Sequence, residues 1–489
     1  MTRPAYRPGT GRPSGRLVAG RCAGLARPGP AGPGGVWENE GVEATRTRTR
    51  VLIAGGGPAG ATAAWHLATA GVEVTVLEKT AYPREKVCGD GLTPQAVREM
   101  DLMGLAHRPE DGWQHVRGLR LVAEGRAVEV PWPTTDTWPD YALVRTRQDF
   151  DELLAAHARA AGALILERHA VTSVLRDEAG TVTGLRADLL DERGRRTGRS
   201  REFAADVVIA ADGNSTRTAL SAGLSRREDR PMGVAVRAYY GLPEDSPRRH
   251  DDWMESWLQL PDAQGRPLPG YGWLFPLGDG TVNVGLGILD TSPQFGRLDY
   301  RSILRDWSGA LTDSWGLSED TRTSRILGAA LPMGFNRTPQ HVPGMLLVGD
   351  AAGMVSPFNG EGISFAMEAA RLAADVTATA LARPTAAGRE AELARYPRLT
   401  QQAWGGHFAL GTHFARLIGH PAVLRAALAT GMRTGPLLRR VVQVMGNLVD
   451  RDGGTAVDRA VRLLESAVPA ATTMDPMPVP GAPLVSLDR

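Results

Sequence analysis

The sequence predicts an α/β fold, in which a Rossmann-like nucleotide-binding domain is interleaved with an antiparallel-sheet domain and followed by a C-terminal helical region. Three patterns predict this fold. Short apolar runs at 51–54, 205–212 and 345–350 are typical of strands that are buried on both faces of a sheet. Residues 231–289 alternate in polarity as antiparallel strands do, and residues 388–468 have helical periodicity.

The first apolar run opens a βαβ unit with a glycine-rich turn. Three glycines have G-x-G-x-x-G spacing, a helix is predicted to about residue 70, and a second strand ends at Glu78. The glycines permit a tight turn and let a pyrophosphate approach the N-terminus of the helix. Glu78 would accept hydrogen bonds from the hydroxyls of an unphosphorylated ribose, which favours FAD or NAD over NADP. The alternative interpretation of the whole unit is a tight turn that binds no ligand. The predicted contacts here are Gly55, Gly57, Pro58, Ala59, Gly60, Glu78 and Lys79.

Two later strands also end in an acidic residue beside a glycine, at 212–213 and 349–350. An acid at the end of a third strand suits the ribityl hydroxyls of a flavin better than it suits NAD, so we predict FAD as the cofactor. A glycine-rich loop at 357–362 opens a long helix, whose N-terminus would stabilise the anionic reduced isoalloxazine. The predicted flavin contacts in these segments are Asp212, Gly213, Gly349, Asp350, Gly360, Gly362 and Ile363.

The composition limits the classes of function. The chain has 489 residues and a formal net charge of +2, which gives no support for a nucleic-acid partner. No apolar run reaches the roughly 18 residues that a membrane-spanning helix needs. The two cysteines, Cys22 and Cys88, are too few for a disulfide framework, so we expect a cytoplasmic protein. No metal site is predicted.

The predicted domains follow these patterns along the chain. The N-terminal segment is rich in Gly, Pro and Arg and lacks periodicity, so it is expected to be disordered and basic. The predicted divisions are a disordered extension at 1–47, FAD-binding parts at 48–117, 146–228 and 326–385, substrate-domain parts at 118–145 and 229–325, a helical region at 386–470 and a disordered tail at 471–489.

Several motifs carry a resemblance to a known family. They are KVCGDGL at 86–92, RQDFD at 147–151, YGWLFP at 271–276 and PFNGEGI at 357–363. Across residues 49–385 the sequence resembles the p-hydroxybenzoate hydroxylase type of flavoprotein, and within it the geranylgeranyl reductase family. Residues 88–94 and the helical tail are most similar to the actinobacterial menaquinone reductases of that family. The resemblance implies FAD and reduction of isolated double bonds in a polyprenyl chain, with the menaquinone side chain as the first expectation.

Three further cofactor contacts are predicted. Arg147 matches the start of the family's helix near the flavin. Lys86 is expected either to pair with a phosphate of FAD or to be solvated, and Val171 lies on a strand predicted at 169–176. The sequence does not decide whether the electron donor is NAD(P)H or a reduced carrier.

The candidate catalytic residues are Cys88, Asp90, Tyr271, Trp273 and Phe275. An isoprene double bond is not polarised, so its reduction by hydride requires a proton donor and a dry apolar site. Cys88 is the candidate proton donor or gatekeeper, and Asp90 is the candidate that orients its loop. The three aromatic residues are two positions apart, so a strand directs their rings to one face, towards a prenyl chain or a developing cation. The competing interpretations are that Cys88 is a packing residue and that the rings belong to the core.

A wide apolar stripe is predicted on a helix near the C-terminus. It consists of Leu437, Leu438, Val441, Val442, Met445, Leu448 and Val449. Packing on the body of the enzyme and partial immersion in a membrane surface both explain this stripe. The expected partner is a prenyl lipid or prenylquinone substrate. A peripheral location on the inner face of the cell membrane stays open beside the cytoplasmic location.

Two other classes of function remain open. A monooxygenase or halogenase of the same fold would share the FAD motifs. The Cys88 loop argues against this class, and residues 271–276 lack the first Trp and the Ile of a W-x-W-x-I-P motif. A non-catalytic prenyl-lipid binding protein is the second alternative, and the complete set of nucleotide-binding residues argues against it.

Overall fold

The computed structural model describes residues 47–262, 265–292, 294–450, 454–471 and 473. The predicted N-terminal extension lies outside these residues except for Thr47, which begins the first strand. The predicted C-terminal tail lies outside them except for Ala471 and Thr473. In the described part of the chain, the strands form one eight-stranded sheet, one seven-stranded sheet and two small sheets.

Strands and short loops dominate the middle of the chain, and helices dominate its end. The strands are β1 (Thr47–Ala54), β2 (Val74–Leu77), β3 (Gly91–Leu92), β4 (Gln114–Val116), β5 (Gly118–Ala123), β6 (Arg126–Pro131), β7 (Ala142–Val144), β8 (Leu164–Leu166), β9 (His169–Arg176), β10 (Val182–Leu190), β11 (Arg196–Ala210), β12 (Met232–Gly241), β13 (Trp253–Trp257), β14 (Leu260–Pro261), β15 (Pro267–Leu268), β16 (Gly270–Pro276), β17 (Thr281–Leu289), β18 (Leu327–Pro332), β19 (His341–Val342) and β20 (Met345–Leu347). The α-helices are α1 (Pro58–Thr69), α2 (Pro94–Leu102), α3 (Arg147–Ala160), α4 (Arg217–Ser221), α5 (Tyr300–Gly309), α6 (Thr312–Trp315), α7 (Ile363–Leu381), α8 (Ala386–Leu393), α9 (Tyr396–Ile418), α10 (Pro421–Gly431), α11 (Gly435–Met445) and α12 (Ala456–Ala467).

The eight-stranded sheet is the Rossmann-like layer. Its main path runs β19-β20-β11-β1-β2-β8, and β1 pairs in parallel with both β11 and β2. The residues of β1 from Val51 to Ala54 are fully buried, which explains why the run is continuously apolar. Because β1, β11 and β20 are parallel neighbours, their carboxyl ends meet at one edge of the sheet. The predicted fold class is confirmed.

The seven-stranded sheet has two differently covered faces. Its order is β18-β12-β17-β16-β13-β5-β6. One face packs on α5 and α6 through an apolar cluster that contains Leu274, Trp307 and Trp315. On β12, β17 and β16, Tyr239, Asn283 and Phe275 are aligned in register. The face that carries these three side chains is turned towards the loop before β3.

The apolar stripe at 437–449 is divided between two environments. Leu438, Val442 and Leu448 are buried in a cluster with side chains of β5 and β6. Leu437 and Val441 are 46% and 38% exposed. Packing therefore accounts for most of the stripe and leaves Leu437 and Val441 accessible. Within the described ranges, no helix has the length and apolar character needed to cross a membrane.

Two local patterns in the sequence predict features that the structure does not have. The polar residues at 191–200 predict one turn, but β11 already begins at Arg196 and pairs there with the end of β10. Asn214 follows the predicted strand at 205–212 and is predicted to cap the next helix, but its amide donates instead to the main-chain oxygen of Ala330 at 2.8 Å. The cap is Thr216, whose hydroxyl accepts from the N–H of Ala219 at 3.0 Å.

Candidate cofactor and active site

The glycine-rich turn after β1 is fixed by close backbone contacts. Gly55 has a φ of +91°, and a β-carbon there would lie 2.5 Å from the main-chain oxygen of Ala211. A β-carbon at Gly60 would lie 1.8 Å from the main-chain oxygen of Gly55. Glycine is therefore required at both positions, and α1 begins directly after the turn with Pro58 and Ala59 buried.

The N-terminus of α1 faces two arginines. Gly57 is the N-cap, and no side chain caps this helix. A β-carbon at Gly57 would lie 3.0 Å from Nη2 of Arg84 and 3.9 Å from Nη2 of Arg147. Both guanidinium groups are ion-paired with Asp151, at 2.9 Å and 2.7 Å, and Asp151 is fully buried. Uncapped N–H groups beside two fixed cations are the features that bind a diphosphate.

Glu78, at the end of β2, fixes the turn that it faces. Its Oε2 accepts from the N–H of Gly56 at 2.7 Å, and its Oε1 accepts from the N–H of Thr80 at 2.9 Å. A carboxylate has about four acceptor sites, so both oxygens retain capacity for the hydroxyls of a ribose. The neighbouring Lys79 is exposed.

The acids at the two later strand ends differ in what they contact. Asp212 accepts from the hydroxyl of Thr216 at 2.5 Å, and from the N–H and hydroxyl of Thr218 at 3.0 Å and 2.9 Å. Its carboxylate is therefore occupied by α4, and Gly213 continues the turn with a φ of +77°. By contrast, no side-chain hydrogen bond or ion pair joins Asp350 to another described residue. Asp350 therefore has the acceptor capacity that ribityl hydroxyls would need.

The loops after β20 and before α7 approach α1 closely. Gly349 has a φ of +59°, and a β-carbon there would lie 3.1 Å and 3.2 Å from side chains of α7 and α1. Gly360 also has a positive φ, of +74°. Gly362 is the N-cap of α7 without a side-chain cap, and Ile363 begins the helix in a buried position. The first N–H groups of α7 are thus free for an anionic or carbonyl acceptor.

Together these features fit FAD. The acid, the two cations, the free carboxylate and the second helix N-terminus are the groups that a ribose, a diphosphate, a ribityl chain and an isoalloxazine need. Lys86 is half-buried in the loop that follows, and its amine contacts no acid in the described ranges. Val171 lies on β9 and packs against the core of the eight-stranded sheet.

The loop at 86–91 lies against the seven-stranded sheet. A β-carbon at Gly89 would lie 3.2 Å from the ring of Phe275 and 3.3 Å from Nε1 of Trp273. The amide nitrogen of Asn283 donates to the main-chain oxygen of Cys88 at 2.9 Å. The backbone that follows the Cys88 side chain is therefore held beside the aromatic residues.

Asp90 anchors the same loop from a fully buried position with a φ of +64°. Its Oδ2 accepts from the hydroxyl of Tyr239 at 2.6 Å and from the amide of Asn283 at 2.7 Å. Its Oδ1 accepts from the N–H of Arg147 at 3.0 Å. Burial raises the pKa of Asp90 to about 6, although these hydrogen bonds act in the opposite direction. These hydrogen bonds hold Asp90, and with it the loop, against β12, β17 and α3.

Tyr271, Trp273 and Phe275 lie on one face of β16, as their spacing predicts. The ring centroids are 6.0 Å apart for the first pair and 6.3 Å apart for the second. The hydroxyl of Tyr271 donates to the main-chain oxygen of Asn359 at 2.7 Å, in the loop before α7. The indole N–H of Trp273 donates to Asn283 at 2.9 Å. The polar atoms of this aromatic row are thus satisfied, which leaves its ring faces for apolar contacts.

The side chain of Cys88 is half-buried and packs against an apolar cluster to which α1, α2, α3 and α7 contribute. Burial raises its pKa, and the guanidinium of Arg147 beside it acts in the opposite direction more weakly. The thiol therefore keeps its proton at neutral pH and has the chemistry of a proton donor. Cys22 lies outside the described residues. In those residues, no group of three or more His, Cys, Asp or Glu side chains is arranged to hold a metal ion.

Sequence reasoning missed three residues of this site: Arg84, Tyr239 and Asn283. Arg84 lies in the turn-rich loop before Cys88, so its position in the sequence was a usable signal. The others lie on β12 and β17, and no pattern in the sequence indicates the order β12-β17-β16 in the sheet.

Comparisons with known proteins add independent findings. Residues 48–397 match the FAD binding domain family. The menaquinone reductase of Mycolicibacterium smegmatis is 34% identical over 416 residues, which cover 85% of this chain and 96% of that protein. Digeranylgeranylglycerophospholipid reductase 1 of Methanopyrus kandleri is 32% identical over 337 residues, which cover 68% of this chain and 80% of that protein.

Two solved structures share the fold at low sequence identity. A geranylgeranyl bacteriochlorophyll reductase-like protein from Thermoplasma acidophilum has a TM-score of 0.67 and 20% identity, and the match covers 86% of this chain and 100% of that chain. The flavin-dependent brominase Bmp2 has a TM-score of 0.63 and 19% identity, and the match covers 86% of this chain and 99% of that chain. At these identities the two structures bear on the fold alone.

Proposed function

Because this chain belongs to the geranylgeranyl reductase family of FAD-binding flavoproteins, we propose that it saturates double bonds in the polyprenyl side chain of a menaquinone. The protein binds FAD and is an FAD-dependent oxidoreductase of isoprenoid chains, so the predicted family, cofactor and enzyme class are confirmed. The observation that carries the choice of substrate is the long similarity to a menaquinone reductase. The observation that carries the chemistry is the Cys88 loop, held against the aromatic row.

The residues of the site supply what this reaction needs from the protein. Reduced FAD, when bound, supplies a hydride. The second hydrogen has to arrive as a proton, and Cys88 holds one because burial raises its pKa. Trp273 is 5% exposed, so water is largely excluded from its ring, which offers a π face to developing positive charge. Asp90 holds the loop and thereby the position of the thiol.

A test uses the purified protein under anaerobic conditions. The bound flavin is reduced with dithionite, and menaquinone with a fully unsaturated side chain is added in detergent. We expect mass spectrometry to find menaquinone that has gained two hydrogens in its side chain. A digeranylgeranyl glycerolipid serves as the comparison substrate and is expected to react more slowly.

Three other results would contradict the proposal. Saturation of the glycerolipid at a higher rate than that of menaquinone would make the glycerolipid the better candidate for the substrate. Absence of saturation, together with hydroxylation or halogenation of an aromatic acceptor in air, would favour the oxygen-dependent alternatives. A protein that stays colourless after FAD is added would favour a non-catalytic lipid-binding protein.

We also propose that the hairpin formed by α10 and α11 docks on an anionic membrane surface, at the inner face of the cell membrane. Residues 393–449 contain seven arginines and no Asp, Glu or Lys. In this hairpin Arg425, Arg433 and Arg439 are exposed and have no acidic partner among the described residues. Leu437 and Val441 are exposed on the same hairpin. Exposed apolar side chains flanked by unpaired cations are typical of a peripheral membrane contact.

Vesicle flotation tests the docking. The protein is expected to float with vesicles of phosphatidylglycerol and phosphatidylcholine, and to float less with phosphatidylcholine alone. The double variant Leu437→Asp/Val441→Asp should lose most of this binding. Leu463 and Leu464 of α12 are 71% and 57% exposed, so Leu463→Asp/Leu464→Asp is a matched control that should still bind. Equal binding by all three proteins would refute docking through this hairpin.

A further inference from the structure

Arg237 on β12 is a fully buried cation whose hydrogen-bonding capacity is only partly used. Its exposure is 0%, and its Nε and Nη1 have no hydrogen-bond partner among the described residues. Its Nη2 donates to the carboxylate of Glu85 and, at 3.5 Å, to the main-chain oxygen of Lys86. A buried donor without an acceptor costs free energy of the order of 1–3 kcal/mol or more. Two such donors on one side chain therefore indicate that an acceptor atom binds here.

The position of Arg237 relates it to the reacting part of the site. In register, Arg237 is opposite Gly285, and Gly285 is opposite Trp273 of the aromatic row. Gly285 has no side chain to separate the two, and a β-carbon there would lie 2.2 Å from the ring of Trp273. The guanidinium carbon lies 4.4 Å from the centroid of the ring of Tyr239, whose hydroxyl holds Asp90. Arg237 therefore borders the same face of the sheet as the Cys88 loop.

The charge around Arg237 limits the kind of acceptor. Glu85 already provides a negative partner for the guanidinium, so a second anion such as a phosphate is not required. A neutral oxygen can accept from one of the remaining N–H groups without adding a net charge to a buried site. A ring carbonyl is such an oxygen, and in a prenylquinone it lies next to the attachment point of the prenyl chain.

We propose that Arg237 binds a carbonyl oxygen of the quinone ring, and that this contact selects prenylquinones and sets which double bond reaches the Cys88 loop. This inference rests on the proposed function, because the quinone is the substrate proposed there. Once the ring is fixed at Arg237, only double bonds at one distance along the chain lie beside Cys88. A prenyl chain without a carbonyl has no such anchor and can slide along the aromatic row.

The test compares Arg237→Met and Arg237→Lys with the wild-type holoenzyme. For menaquinone, Arg237→Met is expected to raise KM by about 10- to 100-fold, the range expected for a hydrogen bond to a charged group. The saturated positions should also become mixed when they are read by tandem mass spectrometry. For a polyprenyl hydrocarbon of equal length without a carbonyl, KM should stay at the wild-type value. Arg237→Lys keeps a cation, so its KM for menaquinone should lie between the values of the wild type and Arg237→Met.

A binding measurement keeps the inference testable if menaquinone is not reduced. By calorimetry, 2-methyl-1,4-naphthoquinone, which has the ring and no prenyl chain, is expected to bind oxidised wild-type holoenzyme and to bind Arg237→Lys more weakly. Failure of wild-type turnover with intact binding would refute the proposed function and leave the Arg237 site standing. Binding that is equal in both proteins would refute the Arg237 site.

Two controls separate this role from others. Glu85→Gln removes the ion pair between Glu85 and Arg237. If this variant raises KM for menaquinone as much as Arg237→Met does, the role of Arg237 is structural and does not involve the quinone. A changed flavin absorbance spectrum or release of FAD from Arg237→Met without substrate would show that the acceptor is the flavin. Either result would overturn the inference, whereas normal FAD content with a substrate-dependent defect supports it.

Discussion

The amide nitrogen of Asn283 donates to the carboxylate of Asp90 at 2.7 Å, across 193 positions of sequence, and so joins the seven-stranded sheet to the loop that carries Cys88. The same nitrogen donates to the main-chain oxygen of Cys88 at 2.9 Å. The loop cannot move away from the aromatic row without losing both hydrogen bonds. Asn283 is therefore a positioning residue for the candidate proton donor.

Asn283→Ala is expected to slow prenyl reduction by about 10- to 100-fold, because two buried acceptors lose a donor at about 1–3 kcal/mol each. FAD content should be normal. Tyr239→Phe is the matched control, since it removes one hydrogen bond to Asp90 and leaves Cys88 held. A wild-type rate constant in Asn283→Ala, with only the melting temperature lowered, would reduce Asn283 to a structural residue.

Cys88→Ala is expected to bind FAD normally and to accept electrons from dithionite. Oxidation of its reduced flavin by a polyprenyl substrate under anaerobic conditions should slow by about 10²- to 10⁴-fold, the usual contribution of a general acid. The rate in Cys88→Ser should fall nearly as far, because a hydroxyl is a far weaker acid than a thiol. If both variants react at the wild-type rate, Cys88 is a packing residue.

Asp350→Ala is expected to release FAD, because a ribityl hydroxyl would lose its acceptor at about 1–3 kcal/mol. Flavin absorbance after gel filtration measures the loss. Asp375, which is exposed on α7, provides the matched control Asp375→Ala. Asp212→Ala should instead lower the melting temperature, since the carboxylate of Asp212 is bound to Thr216 and Thr218. Full flavin retention in Asp350→Ala would remove the predicted role of Asp350.

The pKa of Asp90 predicts a pH dependence of stability. In the folded protein this pKa is about 6, against an ordinary value of 3.8. Folding therefore gains most from Asp90 below about pH 4, and this contribution declines as the pH rises through 6. Relative to Asp90→Asn, the free energy of unfolding of the wild type should fall by up to about 3 kcal/mol between pH 4 and 7.5. Urea unfolding at several pH values measures this difference, and a constant difference would contradict the shifted pKa.

Much of the fold could be predicted from local sequence patterns. The glycine spacing after β1, the continuous apolar runs and the helix at 147–160 follow from short-range geometry, in which a few adjacent residues determine one turn, strand or helix. The common face of Tyr271, Trp273 and Phe275 follows in the same way from the two-residue period of a strand. The acids at the strand ends predicted the cofactor, and the family resemblance added the class of reaction. The comparisons confirm both.

The neighbours of these elements were decided by the tertiary structure alone. The order of strands around β16 brings Tyr239, Asn283 and Arg237 to the Cys88 loop, and this order depends on the packing of the whole sheet. Asp212 and Asp350 look equivalent in sequence, yet the hydroxyls of α4 occupy only the first. The exposure of Leu437 and Val441, in a stripe at 437–449 that is otherwise mostly buried, also depends on where the hairpin lies on β6. The sequence determined which side chains could react, because residue type and local spacing set chemistry and direction. The tertiary structure decided their partners, because hydrogen bonds and burial depend on residues that are distant along the chain.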